Sequence, residues 1–464
     1  MAIMGVATLI SVFVFFSFTK IVFAGEEWFV FYPDVFADNY NRDWGDGQPS
    51  TNAEFEEILA SDAVASTMYA SKSNVLESTW FWTAKVEEET VTTKYFQFNL
   101  LRGIAIHPED DRVSSGPSYP WTPPKKNRPS KTTRWAKRAI QDQQDNAPRQ
   151  LKFLSMTEDQ HNDLDHAEYK YAHEPGKYVR VYVVDHGINP NSVAFIGRRV
   201  EWIFSEPFSN HEQVDTDLDE DKSEYGHGTC MADLAVGKIN GVAKDAEITA
   251  VQEDTRTGIA HTFLMEHMID GMSKALDDIV MRAGPSVVLM AFDFRTEDNE
   301  PFRIFDDAFS QILAKMDQIG VSLVTSVPSV LICPGPPCSY GNPGSRNYIP
   351  DLITVGEGNI LDGAYGTENP SVRTPWTTLY APGSDSDENG EGPGILCADP
   401  KDNNANNDWH QSGTSHASAL VAGLMAYYRG LGLDKAAARQ TLLGNTYARV
   451  SDGPLMPWNG YTGS

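Results

Sequence analysis

From residue 178 onward the chain returns repeatedly to short runs rich in Val and Ile that show no polar alternation: 178–184, 247–252, 286–292, 321–327, 352–356 and 378–380. A strand with one wet face alternates apolar and polar residues. A strand of a parallel sheet, covered on both faces, does not. Longer stretches of helical period lie between the runs. The clearest is 305–320, where Phe305, Phe309, Ile312, Met316 and Ile319 recur at steps of three or four. Strands and helices taking turns in this way predict an α/β fold, a doubly wound, mostly parallel sheet with helices on both faces.

The preceding residues divide into three further regions. Residues 1–24 read as a secretion signal, an apolar run over 3–18 followed by Lys20 and by Val22-Phe23-Ala24 ahead of Gly25. A secreted, extracellular product is expected. Because no Lys or Arg precedes the run, an uncleaved anchor is the other reading. Residues 25–110 combine strand candidates at 28–33, 80–83 and 103–108 with a short helix at 51–61, a small α+β module. From residue 114 to about 148 the chain is rich in Pro, Lys, Arg and Gln, as a solvated linker is; its first part, 111–138, ends on the dibasic pair Lys137-Arg138, where processing would release a chain of residues 139–464.

Charge and cysteines narrow the partners. The 64 Asp and Glu against 37 Lys and Arg give a net charge of -27, which repels phosphate backbones and argues against nucleic acid. No other stretch is apolar enough to span a bilayer, so stable membrane association is not expected. The acidic runs 215–221 and 385–391 read as surface loops. Of the four cysteines, Cys333 and Cys338 enclose Pro-Gly-Pro-Pro and suit a small disulfide ring, which leaves Cys230 and Cys397 free, buried or paired with each other. Their spacings match no common zinc pattern.

Three segments carry residues suited to nucleophilic chemistry. Val181-Tyr182-Val183-Val184-Asp185-His186-Gly187 ends a buried strand on a carboxylate, the edge where ligands meet an open α/β sheet. Tyr225-Gly226-His227-Gly228-Thr229-Cys230 sets an imidazole between glycines, just ahead of a helix beginning near Thr229. Gln411-Ser412-Gly413-Thr414-Ser415-His416-Ala417 opens a helix of small residues on a serine, where unpaired N–H groups favour developing negative charge. A nucleophile, its base and a group that orients the base are all present.

Asp-His-Gly, Gly-His-Gly-Thr and Gly-Thr-Ser-x-Ala, in that order, resemble the motifs of the subtilase family, and most closely its proteinase K branch. Gly241-Val242-Ala243-Lys244, Thr354-Val355-Gly356, Tyr380-Ala381-Pro382-Gly383 and Asn146-Ala147-Pro148 with Leu151 and Ser155 extend the resemblance over roughly 139–445. It implies a subtilisin-like serine endopeptidase acting on protein or peptide substrates, with Asp185, His227 and Ser415 as triad. It also makes 25–110 the propeptide, the enzyme's own inhibitor and partner. No cofactor is implied for catalysis. Structural calcium is allowed, but the loops do not match the family's residue by residue, so no ligand is assigned.

Two departures bear on turnover. Where relatives have Ser-Leu-Gly-Gly along the substrate, this chain has Met290-Ala291-Phe292-Asp293-Phe294, and where they have Ala-Gly-Asn, whose amide donates to the oxyanion, it has Val327-Pro328-Ser329. Ser329 and Asn342 are the substitute donors considered. The alternative function is a catalytically impaired protein of the same fold that binds peptides or protein partners. His186, where relatives often have Thr, either perturbs Asp185 or faces solvent, and solvent is the expectation.

Overall fold

The computed structural model describes residues 26–33, 51–64, 67–95, 101–107, 141–158, 164, 167–205, 226–252, 265–294, 300–327, 335–366, 376–386, 392–398 and 409–461. The expected signal segment, the linker with Lys137-Arg138, the run 215–221, Ser329 and Cys333 lie outside these residues.

The first module holds β1 (Glu26–Pro33), α1 (Asn52–Asp62), β2 (Tyr69–Ser73), β3 (Ser78–Glu87), α2 (Glu88–Thr93) and β4 (Leu101–His107). Its strands form an antiparallel sheet in the order β2-β3-β1-β4, so the α+β expectation holds with one strand and one short helix more. Thr51 caps α1 by accepting from the Glu54 N–H at 3.2 Å. Alternation along the central strand sorts its aromatics. Phe29 and Phe31 join Phe55, Trp82 and Tyr95 under α1, whereas Val30 and Tyr32 join Trp80 and Phe81 on the other face.

The chain continues through β5 (Gln141–Gln144), α3 (Arg149–Ser155) and β6 (Tyr169–Ala172) into the large unit. That unit comprises β7 (Arg180–Asp185), β8 (Val200–Phe204), α4 (His227–Val236), β9 (Glu247–Gln252), α5 (Met265–Arg282), β10 (Ser286–Met290), α6 (Glu300–Gln318), β11 (Ser322–Ser326), β12 (Ile353–Asn359) and β13 (Leu379–Ser384). After it come β14 (Ile395–Cys397), β15 (Trp409–Gln411), α7 (Thr414–Gly430), α8 (Lys435–Gly444), β16 (Thr446–Ala448) and β17 (Leu455–Pro457). The sheet order is β13-β12-β11-β10-β7-β9-β8, and every pairing in it is parallel.

Both faces are covered, as the unalternated runs required. Val181, Val183, Val287 and Leu289 face α4 and α7, while Tyr182, Val184, Val288 and Met290 face α5 and α6. Helix α7 is buried from Thr414 to Tyr428 apart from Ser415, which Ala417, Ala419, Ala422 and Gly423 permit because they let backbone pack on backbone. The edge strand β8 escaped sequence reading because Glu201 and Trp202 are only partly covered, so its pattern is mixed. The run expected over 286–292 ends as a strand at Met290. The start of the acidic run 385–391 is not surface loop: Asp385 is buried, with Arg149 as its ion-pair partner at 2.7 Å.

Cys230 on α4 is joined to Cys397 on β14, the paired option among those left open. Cys338 is disulfide-bonded as well, as a ring at that loop requires.

Candidate active site

Parallel register aligns the strand ends that carry the site. Val184 of β7 pairs with Met290 of β10, so the next residues, Asp185 and Ala291, stand side by side at the C-terminal edge. Asp185 is buried. Its Oδ2 lies 2.7 Å from His227 Nδ1, and its Oδ1 accepts from the His186 N–H at 2.9 Å. A carboxylate can only accept, so Nδ1 carries the proton and the ring is held in one tautomer. Burial pushes the Asp185 carboxyl up, but the His227 imidazole beside it, and then His186, outweigh burial and hold it below the ordinary value.

Close backbone approach makes that contact. His227 opens α4, and a Cβ on Gly228 would lie 2.0 Å from the Gly187 carbonyl oxygen and 3.0 Å from Asp185 Cβ. Only glycine lets α4 start against the end of β7. Ser415 is the second residue of α7, behind Gly413 at φ 144°, and its Oγ donates to the Ala291 carbonyl at 3.0 Å. Thus the hydroxyl bonds the strand-end residue adjacent to Asp185, while Asp185 bonds His227.

The family model described as "Subtilase family" matches residues 176–450, more than half of the chain. The chain belongs to the subtilase family. Among similar proteins, "Subtilisin-like protease 2" of Trichophyton rubrum is 29% identical over 264 residues, 56% of this chain and 52% of that protein. A subtilisin-like protease of Coccidioides posadasii is 30% identical over 281 residues, 59% of this chain and 58% of that protein. The chain therefore spans a little over half the length of these curated relatives. A solved cold-adapted subtilisin-like serine proteinase is similar in fold, with a TM-score of 0.50 and 24% identity over 68% of this chain and 99% of that one.

Within this subtilase, His186 corrects expectation. It is buried, because its carbonyl is held by Gln252 Nε2 of β9 at 3.0 Å while its N–H is held by Asp185. Asn342 ends a 3-10 turn, and its Oδ1 accepts from the Gly344 N–H at 2.9 Å inside its own loop. Sequence reasoning passed over His416. Its ring is buried with, among the described residues, no hydrogen-bond partner of normal geometry. Burial, then the nearby charge of His227, push its pKa down to about 3, against a marginal contact with Gly413. The available signal was its place one residue past Ser415, on a helix buried almost all round. His416, Cys230 and Cys397 offer ligand atoms within 4.8 Å of one another, but both sulfurs are spent on the disulfide and no thiolate remains for a metal.

Proposed function

We propose that this subtilase is a secreted serine endopeptidase, made as a precursor inhibited by its first module. Ser415 attacks the substrate carbonyl, His227 takes the Ser415 proton and returns it to the leaving amine, and Asp185 holds the His227 tautomer and stabilises the imidazolium. The reading is supported above all by the 2.7 Å Asp185–His227 contact set beside the Ser415–Ala291 contact at adjacent strand ends. The reaction needs no cofactor. Developing negative charge falls to the N–H groups of the first turn of α7, with Ser329 or Asn342 as the added donor.

A second reading, peptide binding with negligible turnover, draws on Val327-Pro328-Ser329 in place of Ala-Gly-Asn. Loss of one oxyanion donor in another subtilisin lowers turnover on the order of 100- to 1000-fold. A fluorophosphonate probe separates the readings. The endopeptidase reading expects covalent labelling of the wild-type chain that Ser415→Ala abolishes. Wild-type labelling no stronger than that control would sink it.

The precursor reading draws on how the first module sits. Its sheet shares one apolar cluster with α5 and α6, through Val30, Tyr32, Trp80 and Phe81 against Met268, Met272 and Phe305. Carboxylates of the large unit accept from it: Glu266 from the Tyr32 hydroxyl, Asp270 from the Tyr69 and Ser71 hydroxyls at 2.6 and 2.9 Å, and Asp277 from the Asn74 and Val75 N–H groups at 3.0 and 3.1 Å.

A further inference from the structure

His416 has no part in the hydrolysis proposed above, yet it stands in the interior one residue past Ser415. It is 3% exposed, and neither ring nitrogen has, among the described residues, a hydrogen-bond partner of normal geometry. An imidazole so placed gives up its hydrogen bonds to water and gains none in return, a cost that a hydrocarbon side chain of similar volume avoids. Three elements converge on the ring. Cys230 lies on α4 one turn past His227, Cys397 ends β14, and His416 lies in the first turn of α7. One ring nitrogen and the two sulfurs lie within 4.8 Å of one another, and all three residues are buried. The two helices are closely packed, since a Cβ on Gly423 of α7 would lie 2.6 Å from the Ala235 carbonyl oxygen of α4.

Two thiolates and an imidazole are a donor set for zinc and for ions of similar softness such as cadmium and cobalt(II). With metal–sulfur bonds of about 2.3 Å and metal–nitrogen bonds of about 2.1 Å, the ligand atoms of a tetrahedral site stand about 3.6 to 3.8 Å apart. That spacing falls inside the 4.8 Å within which these three atoms lie. In the oxidised chain the sulfurs are bonded to each other, so the donor set exists only after reduction.

We propose that the reduced chain binds one thiophilic divalent ion through Cys230 Sγ, Cys397 Sγ and a ring nitrogen of His416, and that the bound ion suppresses chemistry at Ser415. The second clause rests on the endopeptidase reading, whereas the first stands without it. A dithiol reductant opens the site. Its two S–H groups supply two electrons and two protons, the Cys230–Cys397 bond breaks into two thiols, and the reductant leaves as a cyclic disulfide. The ion then displaces both thiol protons to solvent and forms two metal–sulfur bonds and one metal–nitrogen bond, with water in the fourth position. Disulfide and ion therefore exclude each other. Two thiolates on one ion stand farther apart than two bonded sulfurs, so loading moves α4 against β14 and draws on the start of α7. His227 is three residues before Cys230 and Ser415 one before His416, and a shift near 1 Å in a catalytic group costs on the order of 100-fold.

The test uses the full chain as wild type, Cys230→Ser/Cys397→Ser, His416→Leu and His416→Cys, either oxidised or reduced with dithiothreitol that is then removed without air. Cobalt(II) and cadmium are the probes. Reduced wild type should bind one more equivalent of cobalt than the reduced double-serine chain, with the visible bands of a tetrahedral ion and a thiolate-to-metal charge-transfer band. Both chains keep Cys333 and Cys338, so any ion taken there cancels. Oxidised wild type should not show the extra equivalent. His416→Leu should weaken binding by about 100-fold or more. His416→Cys should restore it with a stronger charge-transfer band, three thiolates in place of two, a gain that a damaged fold does not produce. Where reduction unfolds the wild-type chain, one equivalent of cadmium should refold it. No extra equivalent, equal affinity in His416→Leu, or an unfolded reduced chain that cadmium leaves unfolded overturns the site. Cadmium should also slow fluorophosphonate labelling of reduced wild type by about 100-fold, reversibly on chelation, and leave the oxidised chain unaffected. Unchanged labelling of the loaded chain overturns the inhibition. An oxidised chain that does not label overturns the endopeptidase reading and the inhibition with it, while the cobalt titration still decides the site.

Discussion

At the scale of single residues, the site depends on how little space separates α4 from the end of β7. A methyl group on Gly228 must displace either Gly187 or Asp185. Gly228→Ala is therefore expected to pull His227 off Asp185 and lower kcat/KM on the order of 100-fold, since shifts near 1 Å in a catalytic group carry that cost. Unchanged kinetics would show that α4 yields without disturbing the pair. His416 gives a pH signature. An imidazole with an ordinary value near 6.5 that falls to about 3 in the folded chain binds its proton first in the unfolded chain. Between those limits stability drops as pH drops, by about 1.4 kcal/mol per unit. Asp233, held up at about 6 by burial, acts in the opposite direction, but it is common to wild type and variant. Urea denaturation from pH 7 to 4.5 should thus show a steeper acid loss for wild type than for His416→Met. Parallel slopes would mean that His416 is not charged by unfolding. The three candidate residues were legible because each stands in a short local motif. His416 was not, since burial of both its ring nitrogens is set by neighbours distant in sequence.

Among elements, the Cys230–Cys397 bond ties the helix that begins with His227 to the β14–β15 hairpin, across a separation of 167 residues. Replacing both cysteines by serine should cost about 2 to 5 kcal/mol, chiefly through the freed unfolded chain. Calorimetry with and without the substitutions would check this, and an unchanged melting temperature would contradict it. Local spacing could offer the Cys333–Cys338 ring and no more than an option for the other two, because pairing over such a separation follows from how α4 meets β14. Strand recognition divides in the same way. Six unalternated runs identified six of the seven strands of the large sheet, whereas β8 has one partner and is broken by Glu201 after its first residue.

For the whole molecule, the first module is held by carboxylates of the large unit, the buried Asp270 accepting from hydroxyls and the partly covered Asp277 from backbone amides, with Arg102 paired to Asp307 at 3.0 Å besides. After cleavage of the linker it should stay bound, and Asp277→Ala should weaken that complex by about 10- to 100-fold, the worth of hydrogen bonds to a charged group. Dissociation measured on the cleaved, purified complex would test it; an equal dissociation constant in the variant would place the binding in the apolar contacts alone. Taken by itself, the sequence determined the fold class and offered three residues for chemistry. Those properties rest on period, local turn chemistry and short motifs, which neighbouring residues carry together. Only the tertiary structure decided that Asp185 and Ala291 directly follow the register pair Val184 and Met290, that His186 and His416 are buried, and that Cys230 reaches Cys397. Each depends on which surfaces meet when the sheet closes between its helices, and that contact joins residues with no spacing in common.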